Sequence, residues 1–194
     1  EDGIYVLLKE TIDNSIDEFN EGFGKRIEVN ILDEHAAEVR DYGRGIPLGA
    51  LKAAVSQLNT GAKYDTAVFT ASVGMNFVAR SCREGKMREV TFEKGQLVSD
   101  IEGETQEENG TYVFFQPDAT LFTNFRFRME FVENMLKNYT YLNTGLAIFN
   151  NNQRIISRNG LEDLLNDNMT EPGIYPIVHL SGPGIDIAFT HTQQ

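Results

Sequence analysis

Residues 4–19 read IYVLLKETIDNSIDEF, and residues 26–40 read RIEVNILDEHAAEVR. In the first stretch Tyr5, Leu8, Ile12, Ile16 and Phe19 recur at helical spacing, one apolar stripe along an amphipathic helix. Gly22 and Gly24 follow and stop it. In the second stretch Ile27, Val29 and Ile31 alternate with polar residues, as a strand buried on one face requires. Asp33-Glu34-His35 forms a turn into a partner strand over residues 36–40. The chain begins, then, with a helix and an antiparallel hairpin.

Working outward, DYGRGIP at 41–47 breaks regular structure, and a short helix covers 51–58. Residues 59–77 are rich in glycine and threonine and read as loop, with a strand starting at Phe77-Val78-Ala79-Arg80. Residues 88–94, 96–101 and 110–116 read as successive antiparallel strands, with the acidic stretch 102–108 as an exposed connection. A helix over 127–141, strands over 146–150 and 154–158, a short helix over 160–166 and a closing hairpin over 174–192 complete the chain. Strands and helices without regular β-α-β alternation define an α+β class, a largely antiparallel sheet covered by helices on one face. We treat residues 1–194 as one domain.

Composition narrows function by exclusion. No apolar run approaches the roughly 20 residues of a membrane helix. The start at Glu1-Asp2-Gly3, with neither Met nor a basic leader, reads as a piece of a longer protein. A single cysteine, Cys82, excludes an internal disulfide and a cysteine-rich zinc site, and fits a reducing cytoplasm. Three scattered histidines, His35, His179 and His191, argue against a histidine metal centre. The net charge of −12 repels phosphate backbones and argues against direct DNA binding by this stretch.

Three elements could carry chemistry. On the first helix Glu10, Asn14 and Asp17 fall within an arc of about 60°, away from the apolar stripe. Glu10 can polarise a water there, and Asn14 can offer its carbonyl oxygen to a hard cation such as Mg²⁺; a solvated helix face is the alternative. Asp41 ends a strand and leads into Gly43 and Gly45, where backbone can approach a ligand closely and the carboxylate can accept from an exocyclic amine; an ordinary glycine turn is the alternative. Gly110-Thr111-Tyr112-Val113 opens a later strand and gains meaning only beside the other two.

In this order the elements resemble the GHKL ATPases, the superfamily of gyrase, Hsp90-type chaperones, sensor histidine kinases and MutL proteins. The motifs are ETIDNSIDE at 10–18, DYGRGIP at 41–47, NTGAKYD at 59–65, REGK at 83–86 and GTYV at 110–113. DNSIDE with GRGIP resembles the ATP-binding domain of bacterial type IIA topoisomerase B subunits more than chaperones, kinases or MutL proteins. IDNSIDE and NGLEDLL at 159–165 lean toward the topoisomerase IV branch over gyrase.

The resemblance implies a Bergerat-type two-layer sandwich that binds ATP and Mg²⁺. It implies Glu10 as general base, Asn14 as the Mg²⁺ ligand, and Asp41 as acceptor for the adenine amino group, with Thr111 beside it. Arg44 and Pro47 would floor the adenine pocket, Arg83 would stand at its mouth, and Glu18 would pair with Arg44. Asp17, Gly43, Gly45, Ile46, Lys63 and Val113 complete the implied ATP-binding set. The implied partners are an A subunit and DNA in the full-length enzyme, a second copy of the B subunit on ATP binding, and adenine-site inhibitors.

One departure stands out. After SVGMN at 72–76 the family continues into a glycine-rich turn and helix that hold the triphosphate, whereas here Phe77 already opens a strand. Roughly a dozen residues are absent, by deletion or by omission, the length of a short helix. A real deletion would spare the adenine pocket and weaken triphosphate binding and hydrolysis, leaving a nucleotide- or inhibitor-binding unit. Away from these motifs, Cys82 reads as a buried strand residue, the phenylalanines at 114, 115, 122, 125, 127 and 131 as core, and Glu162, Asp163 and Asp167 as a solvated helix end.

Overall fold

A computed structural model of the protein describes residues 2–60 and 75–193. Helix α1 runs Asp2–Asn20 and buries Ile4, Leu8, Ile12 and Ile16. It ends in a Schellman motif: Phe23 N–H donates to the Glu18 carbonyl at 2.9 Å and Gly22 N–H to that of Phe19 at 3.0 Å. Gly22 reaches φ +91° to allow it.

Strands β1 (Arg26–Leu32) and β2 (Ala36–Asp41) form the expected hairpin. Its turn places Asp33 and Glu34 both at positive φ, the twist that suits a tight hairpin. A single 3₁₀ turn (Leu48–Ala50) leads into α2 (Leu51–Thr60). Strands β3 (Met75–Arg83), β4 (Lys86–Glu93), β5 (Gln96–Glu104) and β6 (Gly110–Pro117) follow. Then come α3 (Met129–Leu142), β7 (Ala147–Asn150), β8 (Gln153–Ile156), α4 (Leu161–Asn168), β9 (Val178–Gly182) and β10 (Ile185–Phe189).

Among the described residues, β1–β8 make one sheet in the order β5-β4-β3-β6-β2-β1-β7-β8. Its pairs are antiparallel except β1 with β7. The class is thus α+β, as expected. Two sequence expectations need correction. Residues 75–77 belong to β3 and 59–60 to α2, not to a loop; the rest of that loop, with Lys63, lies outside the described residues. Strand β6 does not pair with β5 but inserts between β3 and β2. Burial decides this: β6 carries Val113 and Phe115 for the sheet centre, whereas β5 leaves Leu97, Val98 and Ile101 at least 40% exposed, as an edge strand can.

Register puts the core on one face. Val29, Val39, Val113, Ala79 and Val90 lie opposite one another across five strands, and Ile31, Ala37, Phe115, Phe77 and Phe92 form the next such rung. All ten are buried. Helix α1 covers β2 and β6, α2 covers β3 and β4, and α3 covers β7 and β8. Of the six phenylalanines expected in the core, Phe115, Phe125 and Phe127 are buried, but Phe131 is 48% exposed and packs edge-on against Tyr5 at 4.8 Å. It thus packs toward α1 and stays half in solvent.

The expected solvated helix end is an anchor instead. Asp163 accepts from Ser157 Oγ at 2.7 Å and from the Asn159 N–H at 3.0 Å, and the Ser157 hydroxyl first of all holds its carboxyl below the usual range. Asp167 accepts from the Tyr141 hydroxyl.

Strands β9 and β10 form a separate hairpin against α4, joined by His179, whose Nε2 lies 2.6 Å from Asp186 and whose Nδ1 lies 3.6 Å from Glu162. The Asp186 hydrogen bond, aided by Glu162, raises the imidazole above its ordinary 6.5. A raised histidine stabilises most fully below its unfolded pKa, and that contribution is lost as pH rises through the folded value. Protection of the hairpin amides, corrected for the base-catalysed rise of intrinsic exchange, should therefore fall on going from pH 6 to pH 8, and that fall should vanish in His179→Gln; an equal fall in both proteins would refute the link.

Candidate functional site

One step beyond the valine rung the core face turns polar. There Ile27 lies opposite Asp41, and Ser81 lies opposite both Thr111 and Arg88. Asp41 is only 5% exposed and Ser81 wholly buried. Above this polar rung runs the loop of residues 42–47.

Asp41 is held by three donors. Oδ1 accepts from the N–H groups of Gly43 and Thr111, each at 3.1 Å, and Oδ2 accepts from Ser15 Oγ at 2.8 Å. Burial pushes the carboxyl above its ordinary value, against these donors and Arg40, which favour the anion. An ionised carboxylate offers about four lone-pair sites, so one remains for a ligand donor.

The loop is clamped from both sides. On the helix side, Glu18 accepts from the Arg44 N–H at 2.8 Å, from Nη2 at 2.9 Å and from Nε at 3.2 Å. The pairing of Glu18 with Arg44 is therefore present, and the hydrogen bond from Arg44 is the main cause holding Glu18 below the usual carboxylate range. On the sheet side, Ser81 Oγ donates to the Ile46 carbonyl at 2.6 Å and Arg83 Nη1 to that of Gly45 at 2.9 Å. Both glycines answer to close approach: a Cβ on Gly43 would stand 2.8 Å from the Glu18 side chain, and one on Gly45, at φ +80°, 2.8 Å from the Cys82 carbonyl.

Ile46 packs on the core, Pro47 is exposed at the start of the 3₁₀ turn, and Val113 is buried in the valine rung beneath Asp41. Glu10, Asn14 and Asp17 share a face of the unbroken α1, one residue before the inward positions Thr11, Ser15 and Glu18. Glu10 is half-buried; Asn14 and Asp17 are exposed, and their side chains make no hydrogen bond among the described residues. Cys82 is buried as expected, and burial with the Glu107 carboxylate 3.1 Å away pushes its thiol up to about 11, so Arg83 does not activate it.

Sequence reasoning missed Ser15 and Ser81. The signal for Ser15 was present: with Thr11 it continues, four residues apart, a helix face whose neighbours Ile12 and Ile16 are buried. Ser81 carries no such signal, because only strand register brings it under the loop. The acidic stretch 102–108 is also more than an exposed connection, since Glu107 accepts from Arg80 Nε at 2.8 Å and the Glu108 carbonyl from Arg40 Nη2 at 2.6 Å.

The site thus sets a buried strand-end carboxylate beneath a clamped glycine loop, at the side of the helix that bears Glu10 and Asn14. Residues 1–121 match the model of the histidine kinase-, DNA gyrase B- and HSP90-like ATPases, and the chain belongs to that family. Within it, the chain is 42% identical to the B subunit of DNA topoisomerase 4 from Borreliella burgdorferi over 206 aligned positions, covering 99% of this chain and 34% of that protein. It is 33% identical to the B subunit of DNA gyrase from Archaeoglobus fulgidus over 172 positions, 75% of this chain and 27% of that one. The fold matches the crystal structure of the 43K ATPase domain of Thermus thermophilus gyrase B in complex with an aminocoumarin, with TM-score 0.74 at 23% identity, over 95% of this chain and 56% of that one. The chain thus spans about a third of the length of the curated relatives it matches.

Proposed function

We propose that the chain is the ATP-binding and hydrolysing domain of the B subunit of a bacterial, cytoplasmic type II topoisomerase. In that enzyme ATP binding would join two B subunits, and hydrolysis would reset them while, with the A subunit, one DNA duplex passes through another. The observation that carries this reading is Asp41, with three donors fixing its oxygens and one acceptor site left over. The adenine amino group fills that site, and the Thr111 side chain beside it completes the contact. Arg44 and Pro47 floor the pocket, Gly43, Gly45 and Ile46 bring backbone close, Val113 lines its base, and Arg83 closes its mouth.

Hydrolysis is in-line attack of water on the γ-phosphate. Glu10 accepts the proton from that water, from a half-buried place on the face of α1 that it shares with Asn14 and Asp17. Among the described residues no cluster of three or more His, Cys, Asp or Glu forms an all-protein metal cage. Mg²⁺ does not need one, since it is held by one or two protein oxygens together with phosphates and waters, and the exposed Asn14 carboxamide fits that role. When bound there, Mg²⁺ would offset phosphate charge. Lys63 is assigned to ATP binding on its motif alone.

A second reading, a nucleotide- or inhibitor-binding unit without turnover, is favoured by one observation. The Borreliella alignment spans 206 positions against 194 residues here, so at least 12 positions of that relative have no counterpart. That number agrees with the roughly dozen residues that the resemblance expects after Asn76. Calorimetric titration of the chain with a non-hydrolysable ATP analogue plus Mg²⁺, and separately with an aminocoumarin, tests both readings. Binding of both ligands is the result expected of the first reading, and tight aminocoumarin binding with weak nucleotide binding that of the second. Binding of neither ligand would overturn the proposal.

A further inference from the structure

We infer that Arg88, held by Asp100, is a positioning residue of the nucleotide site, anchoring the loop that floors it; this rests on the reading of the site given above. Arg88 stands on β4 at the end of the polar rung, opposite Ser81, and its side chain is only 14% exposed. Its guanidinium is divided between two tasks. Nε and Nη2 donate to Asp100 Oδ1 and Oδ2 on the edge strand β5, at 3.0 and 2.9 Å. Nη1 is left to donate to the Leu48 carbonyl at 2.7 Å.

Leu48 begins the 3₁₀ turn that joins the glycine loop to α2. Arg83, Ser81 and Arg88 thus hold the carbonyls of Gly45, Ile46 and Leu48 in succession, and Arg88 is the member farthest from Asp41 along the sheet. The fork geometry explains the choice of arginine. A lysine has one nitrogen and cannot grip both carboxylate oxygens while presenting a separate donor to a carbonyl in a fixed direction. Asp100 is the second half of the device: without its two contacts the guanidinium is free to turn away. Glu102, 3.6 Å from Nε, adds charge but no aligned bond.

Arg88→Met keeps the length and apolar stem while removing all three donations. Two measurements on the whole chain test it. Hydrogen exchange over residues 43–51, where the N–H groups of Gly43, Arg44 and Ala50 are bonded, should quicken about tenfold, with the strands unchanged. The Kd for the ATP analogue with Mg²⁺ should rise roughly tenfold while Tm moves little. Asp100→Asn should show a smaller change in the same direction on both readouts. Unchanged loop exchange in Arg88→Met overturns the anchoring role whether or not ligand binds, and faster exchange with unchanged affinity overturns the positioning role. Faster exchange in a chain whose unsubstituted form binds no nucleotide would leave Arg88 as the loop anchor and refute the functional reading instead.

Discussion

Asp41→Asn should weaken binding of an adenine nucleotide roughly 10- to 150-fold, the worth of about 1.5–3 kcal/mol for a hydrogen bond to a charged acceptor. The substitution is informative because the surroundings can adapt to it. The new carbonyl oxygen can keep the N–H groups of Gly43 and Thr111, and Ser15 can turn its hydroxyl to accept from the new amide. What cannot adapt is the remaining position, where an amide hydrogen would now confront the adenine amino group. Affinity should therefore fall while thermal stability changes modestly. Calorimetric titration beside a melting curve measures both, and a substituted protein that binds adenine nucleotide like the original would remove Asp41 from the site.

Glu10→Gln should reduce ATP turnover about 10²- to 10⁴-fold in the intact enzyme, the usual contribution of a general base, with nucleotide affinity within about twofold. Glutamine keeps the size of the side chain and its half-buried place on α1 but cannot take a proton from water. A turnover assay at saturating ATP, paired with equilibrium binding, separates the two effects. Normal turnover would show that another group activates the water.

Much of this architecture was legible from periodicity. The apolar stripe of α1 and the alternation of Ile27, Val29 and Ile31 are local patterns, and local patterns survive in a sequence. So did Asp41, because a carboxylate followed by two glycines carries its own spacing. The neighbours of β6 were not legible: that it lies between β2 and β3 is a matter of pairing over more than seventy residues, and no short window records it. The same holds for Ser81 and Arg88, unremarkable residues until register sets Ser81 beside Thr111 and Arg88 beside Ser81. Ser15 was readable in principle, as a polar residue on a helix between buried isoleucines, but a hydroxyl there commonly bonds only to its own helix. Its partner Asp41 lies 26 residues on.

The polar rung lies one pleat beyond the valine rung on the same face, and this ties the placing of Asp41 to protein quality control. A strand that slipped by a single residue would turn Asp41 away from α1 and would, in the same movement, send Val39 to the opposite face. Molecules misassembled in this way would thus carry Val39 out of the core, the kind of exposed apolar surface that chaperones and proteases recognise. A cell would meet few copies that are otherwise well folded yet carry Asp41 on the wrong face, because the slip that displaces it also marks the molecule for disposal.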